Sequence, residues 1–335
     1  MQHFIINIIV SCGLIILLIV ALMWFFNKNR RYEIEYNKGI EAYQERNYDL
    51  AVSFFIKAIR INPEKPDAFY NLGLTYMALN KVKESEQNFI KALEINNADH
   101  DTRHNLGLLY YNIKQYDKAF IQFKKLLELK SSDCEVIYLM GLCQLETGNI
   151  DDAIENFNKA IEANISSENV SYYLALAQAY DKRFDLSGEF EDLNRAKDFY
   201  RKTLEIDPKN EEACYNMAIC SAKEGLWEEC VNFCQKVIEI NSKSERAYNQ
   251  IGLAMYCNGD YDKAVSMYRK AIAANPKYSD VYTNLGYVLE KQGNFQEAVK
   301  MFKKFLELKP DSEGADMIVD HIKDLENSIK TKNKN

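Results

Sequence analysis

The sequence predicts an all-α chain, a solenoid of stacked helix pairs preceded by one transmembrane helix, on three observations. Small residues recur every 34 positions along most of the chain. A long uncharged apolar run lies ahead of them. Ile318, Ile322, Leu325 and Ile329 form a last apolar stripe at helical spacing.

The apolar run comes first. Residues 1–27 hold no Asp, Glu, Lys or Arg, and Phe4 to Phe26 is apolar except for Asn7 and Ser11. A helix over 4–26 would be about 34 Å long, enough for a bilayer core. Trp24, Phe25 and Phe26 suit an interfacial belt, and Lys28, Arg30 and Arg31 follow at once. Those charges predict a single-pass inner (plasma) membrane protein, N-terminus outside, with the rest of the chain cytoplasmic. A cleaved secretory signal would carry its basic residues before the run, not after it. Around Cys12 a lipoprotein-like box has too short an apolar stretch ahead of it. Asn27 to Arg31 contains neither Pro nor Gly, which predicts a helix running on into the first repeat at Tyr32.

The repeat follows. Gly39, Gly73, Gly107 and Gly141 are spaced by 34, as are Ala218, Gly252 and Gly286, with Ala177 between the two sets. Sixteen past the anchors other than Ala177 stand Phe55, Phe89, Phe123, Phe157, Cys234, Tyr268 and Phe302, and in the insertion-bearing unit the role falls to Tyr200. Pro63, Pro276 and Pro310 close their units. Each unit reads as two short amphipathic helices, whose small anchor lets them approach and whose large ring fills the gap. One pair cannot bury its apolar face alone, so the pairs stack. The units run 32–65, 66–99, 100–133, 134–169, 170–210 with an insertion, 211–244, 245–278 and 279–312. A capping helix at 313–330 covers the last. The inserted Phe184 to Phe190, with two Phe and a Leu, reads as a loop folded back on its own repeat, the alternative being a local docking edge.

Gly73-Leu74-x-Tyr76 and Ala264-x-x-x-Tyr268-x-x-Ala271-x-x-x-x-Pro276 are close to the pattern of the tetratricopeptide repeat (TPR) family, which the chain resembles over eight units. The first unit departs from it with Ala42 where an aromatic is usual, and the sixth is rich in Cys. The resemblance implies a TPR α-solenoid, a right-handed superhelix of helix pairs whose first helices line a concave groove. Carried onto this sequence, a peptide-binding groove would use Tyr70, Asn71, Leu74, Met77, His104, Asn105, Leu108, Tyr111, Tyr138, Leu142, Tyr215, Asn216, Tyr256 and Asn284. Aromatics and leucines supply contact area, and amides can bond an extended backbone. The asparagines resemble the ladder in the repeat domain of O-GlcNAc transferase; they either bind a ligand or buttress neighbouring helices.

Six before the anchors lie Asp67, Asp101, Glu135, Glu212 and Asp280, with Arg246 the exception. Acidic side chains there also suit helix N-termini. The Lys and Arg clamp with which co-chaperones of the family grip an acidic tail is missing, so neutral or basic, apolar-rich segments are the expected ligands.

Other chemistries are excluded. A net charge of −7 argues against nucleic acid. Phosphate loop, dinucleotide fingerprint, Gly-x-Ser-x-Gly elbow and His-Glu-x-x-His are all missing. His100 and His104 are four apart, but no further ligands lie near them, so no metal is expected. Cys230 and Cys234 occupy core slots and read as small hydrophobes. No catalytic residue, cofactor or small-molecule substrate is expected.

The sequence therefore predicts a membrane-anchored TPR scaffold or adaptor that binds partner proteins or peptides, with membrane contact through Phe4–Phe26. The alternative is an accessory subunit presenting substrates to a glycosyltransferase or to a secretion or envelope-assembly machine.

Overall fold

A computed structural model describes residues 2–129, 133–163 and 169–332, and for 2–16, 18, 21 and 332 the backbone alone. Every regular element among them is an α-helix, and the chain forms two compact units, Met1–Ile165 and Ser166–Asn335. Unit 1 contains α1 (Gln2–Gln44), α2 (Tyr48–Ile61), α3 (Pro66–Ala78), α4 (Val82–Ile95), α5 (His100–Asn112), α6 (Tyr116–Leu129), α7 (Cys134–Glu146) and α8 (Ile150–Ala163). Unit 2 contains α9 (Val170–Ser187), α10 (Phe190–Ile206), α11 (Glu211–Lys223), α12 (Trp227–Ile240), α13 (Glu245–Cys257), α14 (Tyr261–Ala274), α15 (Asp280–Lys291), α16 (Phe295–Leu308) and α17 (Ala315–Lys332). Within each unit the helices pack in consecutive pairs, and each pair stacks on the next.

The anchor and the ring sixteen residues on explain the pairing. A Cβ added to Gly39, Gly73, Gly107 or Gly141 would lie 2.6–2.7 Å from the ring of Phe55, Phe89, Phe123 or Phe157. Gly252 with Tyr268 and Gly286 with Phe302 repeat that contact in unit 2. The sixth repeat solves the same space differently. Ala218 brings its own methyl and the smaller Cys234 replaces the ring, both fully buried. The Cys-rich unit is therefore a packing variant.

Turn chemistry repeats as well. Asn62, Asn96, Asn241 and Asn275 each accept the backbone N–H two residues ahead, folding the chain between repeats. Inside the pairs, a left-handed residue joins the helices: Arg46, Asn80 and Lys114 at φ of 57–60° and then Gly148 in unit 1, but only glycines, among them Gly225, Gly259 and Gly293, in unit 2.

Two expectations are corrected. Helix α1 does run unbroken through Asn27–Arg31, but the transmembrane span is not supported: among the described residues no helix is long and apolar enough to cross a membrane. Of the expected 4–26 span, the side chains of 4–16, 18 and 21 lie outside the described residues, as does that of Cys12. The single-pass inner-membrane topology, and membrane contact through Phe4–Phe26, go with the span.

Second, the insertion is helix, not loop. Phe184 to Ser187 continue α9, Gly188 caps it at φ 72°, and Phe190 opens α10. Arg183 forks onto the buried Asp192 at 2.9 and 2.6 Å, which ties the two lengthened helices together across their turn. The end helix, α17, starts at Ala315, after Gly314 at φ 84°, and buries Ile318, Ile322 and Leu325.

Candidate functional site

All of the groove residues named from the sequence are half-buried on the first helices of their pairs. In unit 1, Tyr36, Tyr70, His104 and Tyr138 lean on Phe55, Phe89, Phe123 and Phe157, with ring centres 5.7–6.2 Å apart. Each ring thus packs at a tilt on the core ring and stays half-buried. Leu74, Met77, Leu108, Tyr111 and Leu142 lie against the core around Phe89 and Phe123. Burial, with Glu146 second, pushes the Tyr111 hydroxyl up to about 12.

The asparagines form rungs between repeats. Asn71 Nδ2 donates to Tyr36 Oη at 2.9 Å and to the Asp67 carbonyl at 2.9 Å. Asn105 Nδ2 does the same to Tyr70 Oη at 3.2 Å and the Asp101 carbonyl at 2.9 Å. Both amide hydrogens are thereby used within the array, and Oδ1, an acceptor, is what each asparagine has left for a ligand. The series stops at His104, because buried Leu139 stands where the next asparagine would be.

Between α3 and α5 is a cleft of about 200 Å³, walled by Tyr36, Tyr70 and Asn71 and rimmed by Asp67, Asp99 and Asp101. Neither Asp67 nor Asp101 lies within ion-pair distance of a lysine or arginine among the described residues. Burial raises the Tyr36 and Tyr70 hydroxyls, and the carboxylates of Asp67 and of Asp101 with Asp99 push them further. This is a face that offers acceptors and negative charge. Pro66, Asn96 and Asp99 complete the cleft and were missed in the sequence. The available signal was the turn asparagine recurring 23 after the anchors.

Unit 2 builds the corresponding face differently. Arg246 lies 4.5 Å over the Tyr215 ring and 3.2 Å from Glu212. Asp280 pairs with Lys309 at 3.0 Å. The acids six before two anchors are thus answered from within the unit. Asn284 Nδ2 donates to Asn249 Oδ1 at 2.9 Å, another rung between repeats. Tyr256 packs on Tyr261 at 5.7 Å, and Asn216 is half-buried on α11.

His100 and His104 stack with ring centres 6.4 Å apart, and among the described residues no group of three or more His, Cys, Asp or Glu could hold a metal ion. Cys143, Cys214, Cys220, Cys230 and Cys234 are buried free thiols, and Cys257 is exposed.

The family model of the tetratricopeptide repeat protein 21 C-terminal ARM domain matches residues 133–314, over half the chain. The chain belongs to the tetratricopeptide-repeat family. Two further models, both of tetratricopeptide repeats, match this TPR protein at 64–132 and 39–80. Among solved structures, the C-terminal part of a TPR repeat-containing protein from Cytophaga hutchinsonii is similar at 17% identity and TM-score 0.59, over 75% of this chain and 99% of that one. PilF of Pseudomonas aeruginosa is similar at 17% identity and TM-score 0.52, over 66% and 96%. MamA is 27% identical over 53% and 92%, at TM-score 0.44. A comparison with curated proteins gives no match.

The chain is a TPR solenoid, a stacked-repeat architecture whose extended surface supports protein or peptide binding. The membrane-anchored form of that role is withdrawn with the span. The matched families describe repeat arrays alone, which gives the accessory subunit of a glycosyltransferase or secretion machine no support, and that alternative is set aside.

Proposed function

We propose that this TPR protein is an interaction scaffold that takes an extended segment of a partner protein along the first-helix face of unit 1. The observation that carries the reading is the division of hydrogen-bonding roles at Asn71 and Asn105. Their N–H groups are spent on Tyr36, Tyr70 and the helix backbone, leaving carbonyl oxygens beside Asp67 and Asp101, which no described lysine or arginine answers. Such a surface suits a neutral or basic strand that brings its own backbone N–H groups and cationic side chains. Leu74, Met77, Leu108 and Tyr111 supply apolar area beside it.

An array of immobilised extended peptides, probed with the full chain, tests this. Binding should concentrate on apolar-rich peptides with Lys or Arg and should fall at least about tenfold for Leu108→Lys with Met77→Lys. Circular dichroism melts establish that the variant is folded. Preference for acidic peptides, or binding indifferent to the two changes in a folded variant, contradicts the reading.

A further inference from the structure

The start of the repeat array shows a face that every later repeat buries. Five before the anchor, Ala68, Thr102 and Val136 in unit 1 and Ala213, Ala247 and Val281 in unit 2 are at most 1% exposed, because a preceding pair covers them. The corresponding residue of the first repeat, Ile34, is 46% exposed. One before the anchor, where Leu72, Leu106 and Met140 are buried, the first repeat has exposed Lys38, and two after it has exposed Glu41. This face is therefore only partly made polar. Beside Ile34 is a cleft of about 430 Å³ whose cations are Arg31, Lys57 and Arg60; Glu35, paired with Lys38, is the acid among them.

The other end of the array is complementary. Ala315 stands 34 after Val281, so α17 occupies the place of a ninth first helix. Asp320 falls where each repeat has the Gly or Ala that faces its second helix, and among the described residues no second helix follows. The outward side of α17 carries Asp316, Asp320 and Asp324 around Met317, which is 76% exposed; Lys323, bonded to Asp320, is the cation among them.

We propose that copies of this chain associate end to start, with the outward side of α17 on one copy covering the Ile34 face on another. Met317 meets Ile34, and the three aspartates meet Arg31, Lys57 and Arg60. The contact is heterologous, so it grows by addition of copies and does not stop at a two-fold dimer. Exposed ion pairs orient the two ends and are screened by salt.

Sedimentation equilibrium of the full chain tests the proposal, using Lys57→Glu with Arg60→Glu in one variant and Asp320→Lys with Asp324→Lys in another. The native chain should gain average mass with concentration up to about 100 μM, and its association should weaken about tenfold between about 50 and 300 mM salt. Each variant alone should stay monomeric with an unchanged helical spectrum. Their equimolar mixture should associate again, because each variant's reversed end now fits an end of the other. A monomeric native chain overturns the proposal. So does a mixture that fails to recover, or association unmoved by both reversals, the result expected if the apolar start of α1 drives it.

Discussion

Units 1 and 2 place first helices with an acidic residue six before the anchor, and the two faces still differ in what they offer. In unit 1, Asp67 and Asp101 find no lysine or arginine partner among the described residues, and the Asn71 and Asn105 amides spend their N–H groups inside the array and keep their acceptor oxygens for a ligand. In unit 2, Arg246 answers Glu212 and covers Tyr215, and Lys309 answers Asp280. One repeat geometry thus carries an open acceptor surface in one place and an internally neutralised surface in another. The fold sets where side chains stand, and a single residue such as Arg246 sets whether a ligand's charge has anything left to pair with.

The packing side of the comparison gives the largest expected effect. Phe123 fits only because Gly107 lacks a Cβ, whereas Ala218 shares its space with Cys234. Cys234→Phe should therefore cost about 3 kcal/mol in urea unfolding, and Ala218→Gly added to it should recover most of the loss. Equal losses in the single and double variants would break the equivalence of the repeats.

Next come the rungs. Asn71→Ala with Asn105→Ala should lower the stability of unit 1 by about 2 kcal/mol, roughly one net hydrogen bond each, and Asn284→Ala that of unit 2 by about 1 kcal/mol. A double variant that loses peptide but unfolds as the native chain does would make the rungs ligand contacts instead of buttresses.

The turns sharpen the contrast further. Lys114 holds φ 60° where unit 2 has glycine, so Lys114→Gly should stabilise by about 0.5–1 kcal/mol. Gly259→Lys should destabilise by a similar amount, again read from the unfolding midpoint.

The smallest effect is alkaline and common to both units. Burial raises Tyr111 and Tyr215 to about 12, from an unperturbed 10. The unfolded chain loses these protons first, so their contribution is complete below pH 10 and is lost as pH rises through 12. Phenolate absorbance should lag in the native protein until unfolding begins. Titration of both at pH 10 without unfolding would contradict the burial.

Much of this was legible from spacing, because the Gly–Phe contact requires two residue types sixteen apart and a core repeats what it requires. The rungs were less so. Asn71 is recognisable as a ladder position, but that its amide reaches back to Tyr36 depends on how adjacent repeats are set side by side. Arg246 was visible as the exception six before an anchor, and its pairing with Glu212 shows only when those positions are adjacent in space. The inserted Phe184–Phe190 was misread because Gly188 marks a turn without saying how far α9 runs before it. The apolar run before Lys28 has the composition of a membrane span, and composition alone does not make the span that the described residues lack.

The central claim is that unit 1 reads a cationic segment and unit 2 does not. Fluorescence anisotropy of one apolar peptide carrying Lys, and of its Glu-substituted counterpart, with the full chain tests it directly. The account predicts that the Lys peptide binds more tightly. Asp67→Asn with Asp101→Asn should weaken it about tenfold, and Arg246→Ala should leave the unit 1 site intact. Equal affinity for the two peptides, or binding that ignores Asp67 and Asp101, would contradict it.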